Sequence, residues 1–334
     1  MSNNHTANIS IEKIEDCLNL FGELDANAKI LEGHFGVQMF QRENEIKISG
    51  DNEMVDKAKR AVVTLLAMIN RGEKLTSQNI RYAISLVDEG CEEKAVELVA
   101  NGAICVTTRG RAVKPKTLGQ EKYVKSIEKN TITLGVGPAG TGKTYLAVAM
   151  AVKAFKQGDV NRIILTRPAV EAGEKLGFLP GDLQQKIDPY LRPLYDALLD
   201  MLGKEALERY QGTTIEVAPL AYMRGRTLDD SFIILDEAQN ATKEQMKMFL
   251  TRLGFNSKMV VNGDITQVDL VDGKKSGLVE VMKILKNIDD ISQVLLTEKD
   301  VVRHKLVQDI VKAYEKAYDR SKKFATRNSG FNSK

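Results

Sequence analysis

The sequence predicts an α/β chain in which a parallel sheet covered by helices follows a small α+β domain. Three observations predict it. Short apolar runs alternate with helix-forming runs from Ile132 onward, the pattern of strands buried on both faces by crossover helices. A glycine-rich octapeptide, Gly137–Thr144, joins the first of those apolar runs to a helix-forming one. Residues 14–72 carry their own alternating strands and one-sided helix.

In chain order, residues 1–13 are polar and read as a frayed start. Ile14–Leu20 and Ala26–Leu31 are expected as short helices. Val37–Gln41 and Glu45–Ser49 alternate as strands, joined by the polar turn Arg42-Glu43-Asn44. A helix follows, with Val55, Ala58, Val62, Leu65, Leu66 and Ile69 on one face. Residues 73–112 are expected as a charged helical connector that ends in a strand at Ile104–Thr108 and the basic stretch Arg109–Lys116. The second domain is expected over residues 113–318. Its strands are Ile132–Val136, Arg162–Thr166, Thr214–Ala218, Phe232–Leu235, Met259–Asn262 and Gln293–Thr297. Residues 319–334 are polar and basic and are expected to be disordered.

The chain of 334 residues carries 48 Lys and Arg against 45 Asp and Glu, a net charge of +3, so no global polyanion signal is present. Its three cysteines, Cys17, Cys91 and Cys105, are scattered without metal-ligand spacing, which points to a reducing compartment. The N-terminus has no apolar stretch of a signal peptide. No apolar run approaches the ~18 residues of a membrane span. A cytoplasmic location without membrane association is expected.

Gly137-Pro138-Ala139-Gly140-Thr141-Gly142-Lys143-Thr144 satisfies G-x-x-x-x-G-K-[ST], with a buried strand before it and a helix former run after it. Glycines let backbone N–H groups turn inward around phosphates, and the helix start adds its dipole. Lys143 is expected to reach the β- and γ-phosphates of ATP, and the Thr144 hydroxyl to bind Mg²⁺. Phe232–Leu235 is an apolar strand that ends in Asp236 and Glu237. Paired carboxylates at the end of a buried strand need a cationic partner. Asp236 is read as a Mg²⁺ holder and Glu237 as the base for an attacking water; both also suit a helix N-terminus.

Met259–Asn262 ends in Gly-Asp-Ile-Thr-Gln267, where Gln267 is placed to sense a γ-phosphate, a pattern that resembles motif III of superfamily-one helicases. Gln120, upstream of the glycine-rich loop, resembles the adenine-reading glutamine of the helicase Q-motif. Arg303, in Asp300-Val-Val-Arg303-His304, follows a strand as the phosphate-contacting Arg of helicase motif IV does. With no second core in the chain, Arg303 is expected to act across a subunit boundary as a finger in trans, with Arg224 and Arg226 as rivals. His304 reads better as a hydrogen-bonding partner on that loop than as a catalytic group.

From Lys114 to Tyr314 the chain resembles the PhoH-like ATPase family. The resemblance rests on Gly137–Thr144, Leu165–Pro180, Asp188-Pro-Tyr-Leu-Arg-Pro-Leu-Tyr195, Ala218–Thr227, Asp236-Glu-Ala-Gln-Asn240 and Asp300–His304. It implies a RecA-like P-loop NTPase sheet, a single helicase-like core, a cytoplasmic ATPase of RNA metabolism, and a link to an endoribonuclease of ribosome maturation. One core per chain and a finger from elsewhere lead to the expectation of a homo-oligomer, a hexameric ring. The front domain is similar to a KH RNA-binding domain in its order of elements. Its clamp loop would be Gly22-Glu23-Leu24-Asp25, where the second Gly of G-x-x-G is replaced and two acids face the phosphate position. Gly33-His-Phe-Gly36 is followed by a strand, not the helix a clamp requires. Two readings stand: an RNA-associated motor or remodeller, and an ATP-gated module that recruits a nuclease or ribosomal partner. A small-molecule or protein kinase is a third, for which the sequence offers neither a lid nor an acceptor pocket.

Overall fold

The computed structural model of the chain describes residues 5–42, 44–94, 98, 102–168, 183–270, 275–303, 306–307, 309–311 and 313–314. Three sequence expectations lie outside those residues: His304, the basic tail 319–334, and most of the Leu165–Pro180 motif. Among the described residues, no helix is long and apolar enough to cross a membrane.

The N-terminal unit runs β1 (His5–Ser10), α1 (Ile14–Phe21), α2 (Ala26–Phe35), β2 (Gln38–Arg42), β3 (Glu45–Gly50) and α3 (Asn52–Asn70). Its strands form an antiparallel sheet in the order β1-β3-β2. Strand β1 corrects the expectation of a frayed start. It is an edge strand whose Thr6, Asn8 and Ser10 stay exposed while Ile9 is buried and Ala7 packs against the core. A strand with so few apolar residues carries little hydrophobic signal, and its pairing with β3 supplies what its composition does not.

Helix α3 starts at Asp51, whose side chain accepts the Glu53 N–H at 3.1 Å. Its inner face buries Val55, Ala58, Val62, Leu65 and Met68. Helix α4 (Ser77–Asp88) opens on a reciprocal cap between Thr76 and Asn79 and buries Ile80, Ala83, Ile84 and Val87 in the same core. The segment read as a connector therefore supplies a helix to the N-terminal packing. The loop between α1 and α2 is strained. Leu24 and Asp25 both adopt left-handed backbone, at φ 52° and 59°, so the Asp25 position is one that glycine would fill without strain.

A two-residue ladder, β4 (Cys105–Val106) with β5 (Ala112–Val113), replaces the longer strand expected at Ile104–Thr108. The basic residues Arg109 and Arg111 lie at or beside its turn. The main sheet comprises β6 (Ile132–Val136), β7 (Arg162–Arg167), β8 (Ile215–Pro219), β9 (Ser231–Leu235), β10 (Lys258–Gly263) and β11 (Ile291–Leu295). Its order is β11-β6-β10-β9-β7-β8, with each neighbouring pair parallel. Helices α5 (Leu118–Lys129), α6 (Lys143–Gln157), α7 (Leu183–Leu202), α8 (Lys204–Tyr210), α9 (Lys243–Leu250) and α10 (Gly277–Ile284) complete the layers.

Alternation along the strands feeds a core on each face. Ile163, Leu165, Phe232, Ile234 and Val260 pack with α6 and α7. Ile164, Ile233, Leu235, Met259 and Val261 pack on the other side with Met246, Phe249 and Leu278. Burying such a side chain contributes about 1.5–3 kcal/mol, which makes the sheet a rigid floor for the loops at its edge. The chain thus has an α/β P-loop fold, and the carboxyl ends of its parallel strands are where a ligand is received.

Candidate nucleotide site

Four strand ends converge. The glycine-rich loop leaves β6, Asp236 and Glu237 leave β9, Asn262 and Asp264 lie at the end of β10, and Arg167 closes β7. Backbone hydrogen bonds hold them in register: Gly137 N–H donates to Gly263 O at 3.1 Å and Asp236 N–H to Thr166 O at 2.8 Å.

In the loop, Gly140 and Gly142 adopt φ of +86° and +78°, left-handed values that a Cβ would strain. The Lys143 ammonium is folded into its own loop. It donates to Gly137 O at 2.6 Å, Pro138 O at 2.9 Å and Thr141 Oγ1 at 3.2 Å. Burial lowers its pKa, against the upward pull of Asp264, Asp236 and Glu237. A desolvated cation that borrows neutral carbonyls is poised for a stronger acceptor, and phosphate oxygens are such acceptors.

Thr144 Oγ1 donates to Asp236 Oδ1 at 2.6 Å, which unites the two residues expected to hold Mg²⁺. Asp264 Oδ2 is buried nearby in sequence order to Asn262 and has no hydrogen-bond partner among the described residues. Hydroxyl and carboxylate oxygens suit a hard divalent cation, so the residues present fit Mg²⁺. Arg167 forks onto the other Asp236 oxygen, with Nε at 2.9 Å, and donates through Nη1 to Tyr190 O at 2.8 Å. Its guanidinium is 4.0 Å from Glu237 Oε1.

Glu237 adopts φ 54° and begins a short 3₁₀ turn, Ala238–Asn240. A left-handed glutamate directly after a buried strand is a local strain of the kind found at functional sites. Gln239 donates to Glu237 Oε2 at 2.7 Å and accepts the Asp264 N–H at 2.9 Å, so one amide spans the ends of β9 and β10. The fully buried Tyr123 donates to Asn262 Oδ1 at 2.5 Å, and burial pushes its phenol pKa well up.

Arg303 lies on the glycine-rich loop of its own chain. A Cβ on Gly140 would collide with Arg303 Nε, and Val302 N–H donates to Gly140 O at 2.9 Å. In the single chain Arg303 thus sits on its own loop; the expected reach across a subunit boundary concerns an assembly. Asp300 sets the position: its carboxylate accepts Thr117 Oγ1 at 2.6 Å and Thr297 N–H at 2.8 Å, which ties the loop to the start of α5. Of the rivals, Arg226 is committed to a two-pronged pair with Glu216 at 2.7 Å per prong, and Arg224 is exposed.

Gln120 is 3% exposed. Its amide accepts Lys116 N–H at 2.7 Å and donates to Thr141 O at 3.0 Å, so it links the segment before α5 to the glycine-rich loop. Gln267 is exposed on the turn after β10. The structure thus gathers Lys143, Thr144, Asp236, Glu237 and Arg303, and leaves Gln267 at the rim. Sequence reasoning missed Arg167, Gln239 and the bracing role of Asp300. Arg167 had a signal, since a charged residue ends an apolar strand there just as Asp236 does.

The family described as PhoH-like protein matches residues 112–315. A PhoH-like protein of Bacillus subtilis (strain 168) is 50% identical over 310 residues, which cover 92% of this chain and 97% of that relative. One from Mycobacterium tuberculosis (strain ATCC 25618 / H37Rv) is 54% identical over 297 residues, 88% of this chain and 84% of the relative. Protein PhoH of Escherichia coli (strain K12) is 40% identical over 271 residues, 79% of this chain and 73% of the relative. The matched region holds the phosphate loop, both strand-end acids and Arg303, and this chain belongs to the PhoH-like protein family.

Proposed function

We propose that the chain is a Mg²⁺-dependent ATPase acting in RNA metabolism as an RNA-associated motor or remodeller. The observation that carries the ATPase reading is the meeting of Lys143, Thr144, Asp236 and Glu237 at adjoining strand ends. ATP phosphate oxygens take over the Lys143 donors that Gly137, Pro138 and Thr141 now accept. Thr144 and Asp236 hold Mg²⁺, which supplies charge neutralisation on the phosphates. Glu237 takes the proton of the attacking water as the water oxygen bonds to the γ-phosphorus. The bond from that phosphorus to the bridging oxygen breaks, and ADP leaves with its electron pair. Arg303, lying on Gly140, offers a cation to the charge that develops.

The RNA part of the reading rests on the family resemblance and on the basic segment Arg109–Lys116. A second reading, an ATP-gated docking module for a nuclease or ribosomal partner, draws on the loop Gly22–Asp25. Its tip carries Leu24, 85% exposed, between Glu23 and Asp25, a surface better suited to protein than to phosphate. A site whose Arg303 stays on its own loop is complete within one chain, whereas a hexameric ring with Arg303 acting in trans would complete it between neighbours.

The test is the steady-state ATPase rate with and without single-stranded RNA, with Glu237→Gln as the blank. Lys143→Ala is expected to abolish nucleotide binding or turnover. Glu237→Gln is expected to bind ATP and lose roughly 100-fold or more in turnover. Full turnover in either variant removes the assignment it probes. RNA stimulation supports the motor, and RNA-indifferent turnover supports the docking module.

A further inference from the structure

A cleft of about 1010 Å³ opens beside the phosphate loop. Gly140, Gly142 and Arg303 line it, and so does Tyr82 of α4 from the N-terminal unit. Its size matches pockets that take small ligands. A nucleotide whose phosphates lie along the loop must send its nucleoside to one side. Toward β7 and β9 the space is occupied by Arg167, Asp236 and Glu237. The cleft is the open side.

Two aromatic rings line it, Tyr82 from α4 and Tyr145 from the first turn of α6. Each is pinned through its hydroxyl. Tyr82 Oη accepts the Leu118 N–H at 2.6 Å, and Tyr145 donates to Asp200 Oδ2 at 2.6 Å. A ring with its polar end tied off presents an apolar face without rotational freedom to lose, which suits a stacked base. Burial pushes the Tyr82 phenol up to about 12, so the ring stays neutral at physiological pH. Arg81, Arg111 and Lys116 also line the cleft and make it attractive to a polyphosphate.

We propose that this cleft is the nucleoside compartment and that α4 of the N-terminal unit, through Tyr82, forms its outer wall. The proposal rests on the ATPase reading and adds a consequence. The wall is tied to the catalytic core by Tyr82 to Leu118, by Lys114 to Glu73, and by Lys299 to Glu89 at 2.5 Å. Nucleotide occupancy therefore bears directly on how the N-terminal unit is held, so that unit senses the nucleotide state.

The test compares ATP with inorganic tripolyphosphate, which fills the phosphate loop and leaves the cleft empty. Tyr82→Ala is expected to weaken ATP binding about tenfold and to leave tripolyphosphate binding unchanged; Tyr82→Phe, which keeps the ring and loses only the pin to Leu118, is expected to recover most of that loss. Equal affinities for ATP in wild type and Tyr82→Ala, or equal losses for both ligands, overturn the proposal. In the unaltered protein, photolabelling with 8-azido-ATP is expected to mark the peptide containing Ser77–Asp88; labelling confined to other segments overturns the proposal even if Tyr82→Ala fails to fold. A wild-type chain that binds neither ATP nor tripolyphosphate removes the ATPase reading itself.

Discussion

Arg167 decides the electrostatics of the site at the scale of single residues. Asp236 is 2% exposed, and a carboxylate at that depth needs a cation. In the free chain Arg167 meets that need, while Thr144 satisfies the other oxygen. Mg²⁺ would draw on the same carboxylate, so guanidinium and metal compete. Arg167→Ala should leave Asp236 buried and unpaired and lower stability by about 3 kcal/mol in metal-free buffer. Mg²⁺ added without nucleotide should then raise the melting temperature more in the variant than in wild type. Identical Mg²⁺ responses would mean that the pair does not oppose the metal. The acids and the lysine of this arrangement were legible in the sequence because local motifs carry them. Arg167, Gln239 and Asp300 act through partners on other strands or helices, and such pairings exist only once the sheet has brought the strand ends together.

Elements were legible where burial writes a pattern. The four inner strands of the parallel sheet, β6, β7, β9 and β10, are buried on both faces and stand out as apolar runs. Strand β1 was not legible, since an edge strand with one well-buried residue looks like a polar tail. The outer strand β8 poses a related problem, because its Glu216 points a carboxylate at a half-buried surface. The two-pronged Arg226 pair answers it, and the hydrogen bonds from Arg226 hold the Glu216 carboxyl below its ordinary value of 4.5 against the opposing effect of burial. The unfolded chain therefore takes up a proton on Glu216 at a higher pH than the folded one does. The stabilisation is fully present above the ordinary carboxyl range and is lost as pH falls through the lowered value. Glu216→Gln should cost about 1 kcal/mol at neutral pH, and the gap from wild type should close below that range. Urea unfolding of both proteins at neutral and acidic pH measures it; a gap that persists in acid would place the effect in packing instead of charge.

On the scale of the whole molecule, the question is whether one chain holds a complete site. The resemblance to helicase motifs leads to the expectation that a neighbour supplies a cation to the site. The folded chain places Arg303 on its own phosphate loop. Asp300 fastens the segment after β11 to the start of α5, Val302 bonds the loop at Gly140, and Arg303 is laid over that glycine from the same chain. The loop and the arginine lie far apart in sequence, and they meet because β11 is the edge strand beside β6. This arrangement makes a prediction about mixtures. Arg303→Ala and Lys143→Ala should each be inactive alone. If each site draws both residues from one chain, every chain in a mixture carries one defect, and turnover should stay at the level of the separate variants. If Arg303 left its own loop to serve a neighbour, sites with an intact Lys143 and a borrowed Arg303 would form, and activity would return as the proportions approach equality. Rescue in the mixture would therefore require the Asp300 clasp to open during the cycle. Its absence, in mixtures whose subunit exchange has been verified, would mean that any assembly of this chain serves its grip on a partner and not the completion of its active site.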